Sequence, residues 1–543
     1  MPIVILLCRT IRKILRAEEE TMAVKKSPQD LVKTGIKGLD DIFLGGIRAN
    51  NIVLLEGCSG TGKTSLGLEF IYRGAKDFKE SGIILSFESS EERLMRDAKG
   101  LGLDFKTLGK KKGVVKTIHS NPSVIFQELL SLDGQLFKEI KSINAKRVLI
   151  DGLTPLKMFA EQFNGRSFRD SLYSIIAQLQ NAGVTAILTR ELPENFGETT
   201  GQLDEQFICD SIIRLQNHAE RRNSHRCIEI RKSRGQDFIQ GQHTIKFLTG
   251  EGLKVYQRTY SRAQTFNAQA SSTTRISTGI KTLDPIIGGG IYEGSVTLVV
   301  GISGTGKSVI SMQFLTDGAK QGKKGLMISL DEQPKQILRN AKTLSMGIED
   351  QIKAGNILLH CESPLELEMD VHFDKIVQLI EENDIERVVI DSVVSYKNSN
   401  VEEAQNLIYA LASYMKNNLI TSFFNYESPE LLGLSQISED LKASAIVDNI
   451  ILLNYVEIST QMRRAVTVPK SRGTEIPQRT REFVIEKGGL RLIEDQPSKE
   501  VEEVPQLPFS SYYGILSRAP ARHSPAIEGS IARGEELPPS TLN

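Results

Sequence analysis

Gly57-Cys58-Ser59-Gly60-Thr61-Gly62-Lys63-Thr64 decides the fold. It reads G-x-x-x-x-G-K-T, the pattern of a phosphate-binding loop. The apolar run Ile52-Val53-Leu54-Leu55 before it reads as a buried strand, and Leu66, Leu68, Phe70 and Ile71 after it suit a helix. Strand, glycine turn and helix are the context the motif needs. Glycines let several backbone N–H groups converge on one phosphate, at a helix N-terminus that already favours anions. Lys63 adds positive charge for the outer phosphates, the Thr64 hydroxyl can ligate Mg²⁺, and Ser65 follows it into the helix. A glycine-rich turn with no ligand is the competing reading, and a second copy of the device weighs against it.

That copy is Gly301-Ile302-Ser303-Gly304-Thr305-Gly306-Lys307-Ser308, with Ser308 in the place of Thr64. Lys63 and Lys307 are 244 positions apart, and so are Thr34 and Thr278, which open the echo Thr34-Gly35-Ile36-Lys37-Gly38-Leu39-Asp40 and Thr278-Gly279-Ile280-Lys281-Thr282-Leu283-Asp284. Gly45-Gly46-Ile47 returns as Gly289-Gly290-Ile291. Such a period means a duplicated domain rather than a short stacked repeat. Each half has a second apolar run ending in aspartate, Val148-Leu149-Ile150-Asp151 and Val388-Val389-Ile390-Asp391. Runs buried on both faces suit the centre of a parallel sheet, and its carboxyl end is where such sheets bind ligands. Asp151 and Asp391 are therefore the expected holders of Mg²⁺ and its water.

A third strand in each half is predicted to end in acid: Ile83-Ile84-Leu85-Ser86-Phe87-Glu88 and Leu326-Met327-Ile328-Ser329-Leu330-Asp331-Glu332. A carboxylate there polarises the attacking water or hydroxyl, or else it is a solvated cap on the next helix, since Glu91 and Glu92 are close by. A last echo, Lys232-Ser233-Arg234-Gly235 against Lys470-Ser471-Arg472-Gly473, follows a strand-like run in each half. This basic turn either reaches a phosphate on a neighbouring subunit or is simply solvated. Cys58, inside the first loop, reads as a space-filler, with an oxidation-sensitive switch as the alternative.

Bulk properties narrow the classes. The chain has 543 residues, too many for one core, and its 67 Lys+Arg balance its 67 Asp+Glu. No clear basic, aromatic-rich channel is visible, which disfavours nucleic acid as a partner. The five scattered cysteines form no C-x-x-C pair, which points to a reducing compartment and predicts no zinc site. No apolar run is long enough to span a bilayer, so the expected location is cytoplasmic. Five segments are predicted. Residues 1–27 are an extension, disordered or upstream of the true start. Its Pro2–Leu7 and Arg9–Arg16 stand in the wrong order for a signal peptide, and a membrane-surface helix is its alternative. Residues 28–260 and 275–494 are the two repeats, 261–274 a flexible linker, and 495–543 a disordered Pro-rich tail.

With these motifs the chain, over roughly residues 28–492, resembles the KaiC family of circadian clock ATPases and autokinases. The likeness is closest at Ile450-Ile451-Leu452-Leu453-Asn454-Tyr455-Val456-Glu457. It implies an α/β fold of two tandem RecA-like domains, each a mostly parallel sheet flanked by helices, and a two-tiered hexamer with ATP between subunits. It further implies ATP and Mg²⁺ as cofactors, and clock or signalling proteins as partners. The resemblance makes Glu88 the catalytic glutamate of an ATP-hydrolysing first half, and Asp331, also a Mg²⁺ ligand candidate, its counterpart in a self-phosphorylating second half. Lys232, Arg234, Lys470 and Arg472 then match residues that reach the neighbour's nucleotide, and Ser444 matches a phosphoacceptor. Three departures stand out: Glu88-Ser89 and Asp331-Glu332 replace paired glutamates, and Ser444-Ala445 replaces an adjacent Ser-Thr acceptor pair. Two other functions compete with this one. A RecA-like DNA-dependent ATPase would bind DNA in a salt-sensitive way, and an ATP-assembled signalling scaffold would turn over negligibly.

Overall fold

The computed structural model of the chain describes residues 31–87, 89–108, 113–131, 133–163, 167–193, 204–220, 223–259, 272–398, 400–428, 446–458, 461–477 and 479–493. The predicted extension, the acceptor Ser444, the tail 495–543, Glu88 and most of the linker lie outside the described residues.

Each half is built on a nine-stranded sheet, and the two sheets have the same order. In the first half the order is Val115–His119, Gly82–Ser86, Arg147–Asp151, Thr185–Glu191, Ile52–Gly57, Ser211–Glu220, Asn223–Ser233, Gln242–Leu248 and Gly252–Tyr256. Pairing is parallel as far as Ser211–Glu220 and antiparallel beyond it. In the second half the order is Ile357–Cys361, Gly325–Ser329, Arg387–Asp391, Thr421–Glu427, Val296–Gly301, Asn449–Ile458, Gln461–Ser471, Arg481–Glu486 and Gly489–Leu492, with the same switch after Asn449–Ile458. The fold is therefore the predicted one, two tandem RecA-like α/β domains.

The apolar runs form these strands because both faces are covered. Ile52 and Leu54 enter one core cluster while Val53 and Leu55 enter another on the opposite face. In the second half Leu326 and Ile328 part from Met327 in the same way. Alternation along a strand explains the division, and burial of both faces explains why the runs show no polar alternation. The Thr-Gly-Ile-Lys echo is a turn. Thr34 N–H and Oγ1 both donate to Asp40 Oδ1 at 2.7 Å, and Thr278 Oγ1 donates to Asp284 Oδ1 at 2.7 Å.

The two sheets also share a device absent from the sequence reading. Arg147 and Arg387 open the aspartate strands and are almost wholly buried. Arg147 donates to Phe70 O at 2.9 Å and Lys33 O at 2.7 Å, pairs with Glu80 at 2.6 Å, and lies 4.5 Å from the centre of the Phe70 ring. Arg387 repeats this with Phe314 O at 2.6 Å and Asp317 at 3.4 Å. Each arginine thus fastens the loop helix, Lys63–Asp77 or Lys307–Lys320, to the aspartate strand beneath it.

The halves touch through the first turns of helix Met369–Asn383. Asp370 accepts from Thr244 Oγ1 at 3.0 Å and from Thr259 N–H at 2.8 Å, while Lys246 pairs with Glu368 and Lys254 with Asp374, both at 2.7 Å. Among the described residues no helix is long and apolar enough to cross a membrane.

Candidate nucleotide sites

Both loops sit between strand and helix as the motif requires. Strand Ile52–Gly57 ends at the first glycine and helix Lys63–Asp77 begins at the lysine; Val296–Gly301 and Lys307–Lys320 match them. Gly62 and Gly306 stand at φ 102° and 114°, where a side chain is strained. A Cβ on Gly62 would meet Phe247 Cζ at 2.3 Å, and one on Gly306 would meet Ile485 Cδ1 at 2.8 Å. The outer strands therefore form the floor of each loop. Thr61 and Thr305 are buried and brace it, each donating at 2.8 Å to a carbonyl three residues back. Ser59, Gly60, Ser303 and Gly304 are exposed at its tip, and Ser65 is half-buried in the first helical turn.

Lys63 Nζ reaches Gly57 O and Cys58 O at 2.9 and 2.7 Å, and Lys307 Nζ reaches Gly301 O and Ile302 O at 2.9 and 3.0 Å. Both lysines thus curl over their own loop. Burial lowers the pKa of Lys307, partly offset by Glu427, Asp391 and Asp331. Asp151 lies beside Thr64 Oγ1 at 3.1 Å, and Ser308 Oγ donates to Asp391 Oδ2 at 2.6 Å. Desolvation raises the pKa of the half-buried Asp391. A hydroxyl and a carboxylate converging at a helix N-terminus form an all-oxygen donor set that suits Mg²⁺. Lys63, Thr64, Asp151 and Thr189 line a cleft of about 340 Å³. These residues fit a magnesium nucleotide.

Two partners of the aspartates went unread in the sequence. Thr189 Oγ1 donates to Asp151 Oδ1 at 2.6 Å, and Asn425, whose amide oxygen accepts from Ser311 Oγ at 2.9 Å, lies beside Asp391 and works against the rise in its pKa. Each comes straight after the apolar centre of its strand, Ala186-Ile187-Leu188 in Thr185–Glu191 or Phe423-Phe424 in Thr421–Glu427, and that break is the signal that could have found them.

The acidic runs need a correction. The strands stop at Ser86 and Ser329, so Asp331 and Glu332 lie beyond the strand end, not on it. Leu330 N–H instead donates to Asp391 O, which carries the following residues past the end of the aspartate strand. Asp331 accepts from Ser395 Oγ at 2.6 Å, a contact the sequence does not announce. Glu332 is turned towards Asn340, and its pKa is raised by burial and by the Asp391 and Asp331 carboxylates. Cys58 is half-buried, with Sγ 3.4 Å from Pro193 O.

The basic turns lie far from the loops of their own half. Arg234 N–H donates to Asp210 O, and Asp210 N–H donates to Ile52 O, so Arg234 is level with the start of the strand whose other end is Gly57. Five residues along and two strands across put the two Cα atoms roughly 19 Å apart. Lys232 Nζ caps the carbonyls of Gln206 and Cys209 at 2.9 and 2.7 Å, and Arg234 donates to Phe207 O at 2.7 Å. Lys470 Nζ likewise donates to Val447 O at 2.9 Å, and Arg472 lies 3.6 Å from Asp448. Burial, then the neighbouring arginine, lowers the pKa of both lysines.

The model of the family described as "ATPase: KaiC" matches residues 32–260 and again 276–497. The chain belongs to the KaiC family. Among curated KaiC proteins, the circadian clock oscillator protein of Picosynechococcus sp. is 30% identical over 90% of this chain and 92% of its own length. That of Rippkaea orientalis is 30% identical over 93% and 94%, and that of Thermostichus vulcanus 30% over 95% and 96%. This chain is therefore a KaiC-family ATPase in which the domain occurs twice, and the duplicated motifs are the family's own repeat.

Proposed function

We propose that this chain forms a ring, a hexamer by family likeness, in which each half binds Mg-ATP between subunits. The first half hydrolyses ATP and the second phosphorylates Ser444, in circadian or signalling regulation. The observation that supports this reading is the split placement of each charge set. Loop, hydroxyl and aspartate occupy the carboxyl end of the sheet, and the basic turn occupies the other end. Lys232 and Arg234, or Lys470 and Arg472, are out of reach of their own loop but placed to serve the loop of a neighbour stacked head to tail.

ATP supplies the transferable phosphoryl group, and Mg²⁺ neutralises charge on it. Loop N–H groups and Lys63 or Lys307 hold the phosphates. Thr64 with Asp151, and Ser308 with Asp391, hold the metal. In the first half Glu88 takes a proton from the attacking water. In the second, Asp331, steadied by Ser395 and with Glu332 beside it, takes the Ser444 hydroxyl proton as Oγ bonds to the γ-phosphorus and the bond to ADP breaks. Intact-protein mass together with native mass, after incubation with Mg-ATP, reports phosphate and subunit number. One phosphate on Ser444 in a ring is expected. A monomer in saturating ATP overturns the ring. No phosphate at Ser444, even in Asp331→Glu, leaves the second half as a nucleotide-bound scaffold.

A further inference from the structure

Away from both loops, the edge strand Ile357–Cys361 leads into Glu362. Alternation puts His360 and Glu362 on one face and Cys361 on the other. Helix Met369–Asn383 returns His372 over that same face. One ligand atom from each of His360, Glu362 and His372 lies within 4.8 Å of the others. Glu362 Oε2 is 2.8 Å from His372 Nδ1 and 3.3 Å from His360 Nε2. The other nitrogen of His372, Nε2, is 3.0 Å from the hydroxyl of buried Tyr396.

We infer that His360, Glu362 and His372 bind one divalent transition-metal ion of the zinc class. Two imidazoles and a carboxylate are a recognised donor set for such ions, whereas Mg²⁺ prefers oxygen alone. The outer contact is of the kind that orients a metal-binding histidine. With Nε2–H donating to Tyr396, the lone pair of Nδ1 faces Glu362 and His360. His372 is fully buried, while Glu362 is 42% exposed, which gives a fixed back wall and an open entry with room for water ligands. The cysteines, from which no zinc site is predicted, take no part.

Three segments meet at this point. They are the edge strand, the helix whose Asp370 grips the first half, and Val393–Asn398, whose Ser395 holds Asp331. An ion here braces the contact between halves and the floor of the second site together.

The test uses the full chain, stripped with a chelator and saturated with Mg-ATP so that both loops are filled. Zn²⁺ is titrated against a chromophoric chelator, and Co²⁺ is followed by its visible absorption. One Zn²⁺ per chain is expected, in the micromolar range or tighter, with a higher melting temperature. Affinity should fall about 10-fold or more in His360→Ala and in Glu362→Gln, and Cys361→Ser should change nothing. His372 is too buried to be a fair probe, so the two accessible ligands carry the test. Binding well below one ion per chain overturns the inference. So does full affinity in both variants, loss of binding in Cys361→Ser, or displacement of Zn²⁺ by millimolar Mg²⁺. All of these readouts are independent of ATP turnover, so the site can fail while the proposed activities stand.

Discussion

Two variants that are each inactive should restore one another. Glu88→Gln keeps the loop, and so nucleotide binding and assembly, but removes the base. Arg234→Ala keeps loop and base but removes the charge offered to the neighbour. Arg234 lies roughly 19 Å from its own Gly57, too far for one side chain to bridge, so in the proposed ring each first-half site would draw its loop from one chain and its arginine from the next. Loss of such an arginine costs about 10³- to 10⁵-fold in rate, or about 4–7 kcal/mol. Each pure variant should therefore hydrolyse ATP at a floor rate. In rings reassembled from an equal mixture, about one junction in four joins an intact loop and Glu88 to an intact Arg234. Phosphate release, measured with Lys307→Ala in both chains to silence the second half, should recover to about a quarter of the matched control. Native mass confirms mixing. A mixed ring that stays at the floor refutes the shared site, and a pure Arg234→Ala ring at full rate refutes the role of the turn. A pure Glu88→Gln ring at full rate shows that Glu88 is only a helix cap.

Four further outcomes follow from the geometry. Gly62→Ala should abolish nucleotide binding in the first half, because its Cβ strikes Phe247, whereas Gly60→Ala has open space around it and should lose only about 1–2 kcal/mol; equal effects in calorimetric titration would discount the Phe247 floor. Arg147→Ala should destabilise the first half by about 3–5 kcal/mol by stranding its buried partners, read as faster hydrogen exchange in the first sheet and not the second; unchanged exchange contradicts the clamp. His243 is buried and its pKa is lowered chiefly by that burial, with Nδ1 accepting from Arg258 N–H at 3.0 Å. Its contribution is present above its ordinary value of 6.5 and is lost as pH falls through the lower folded value, so the melting temperature should drop below pH 6.5; His243→Gln should flatten that drop, and an identical slope in both proteins argues against it. Cys58→Ser should leave ATP binding intact; protection from peroxide in this variant would instead reveal a redox switch.

The repeat and both loops were legible because phosphate chemistry fixes residue types at fixed spacings. The central strands were legible because burial on both faces leaves an unbroken apolar run. What escaped was contact between distant residues. Thr189 and Asn425 matter because they meet aspartates dozens of positions away, and Ser395 because the chain folds back towards Asp331. Arg147 and Arg387 look like ordinary surface charge until the loop helix covers them. The acids at 331 and 332 read as a strand end because the apolar run continues through Leu330, whereas pairing stops at Ser329.

The strand Gln242–Leu248 works on both faces: Phe247 lies under the first loop, while Thr244 and Lys246 grip the second half. This bears on heredity. A gene carrying two similar repeats is exposed to unequal crossing-over, which can swap one repeat for the other. Ile485 holds the place of Phe247 in the second repeat, so Glu482 and Val484 stand where Thr244 and Lys246 do. A recombinant with the second repeat in both positions would set a glutamate against Asp370 and a valine against Glu368 in place of a hydroxyl and an ammonium. Like charges meeting there would push the tiers apart. The duplicated domains have diverged at this strand into parts that no longer exchange.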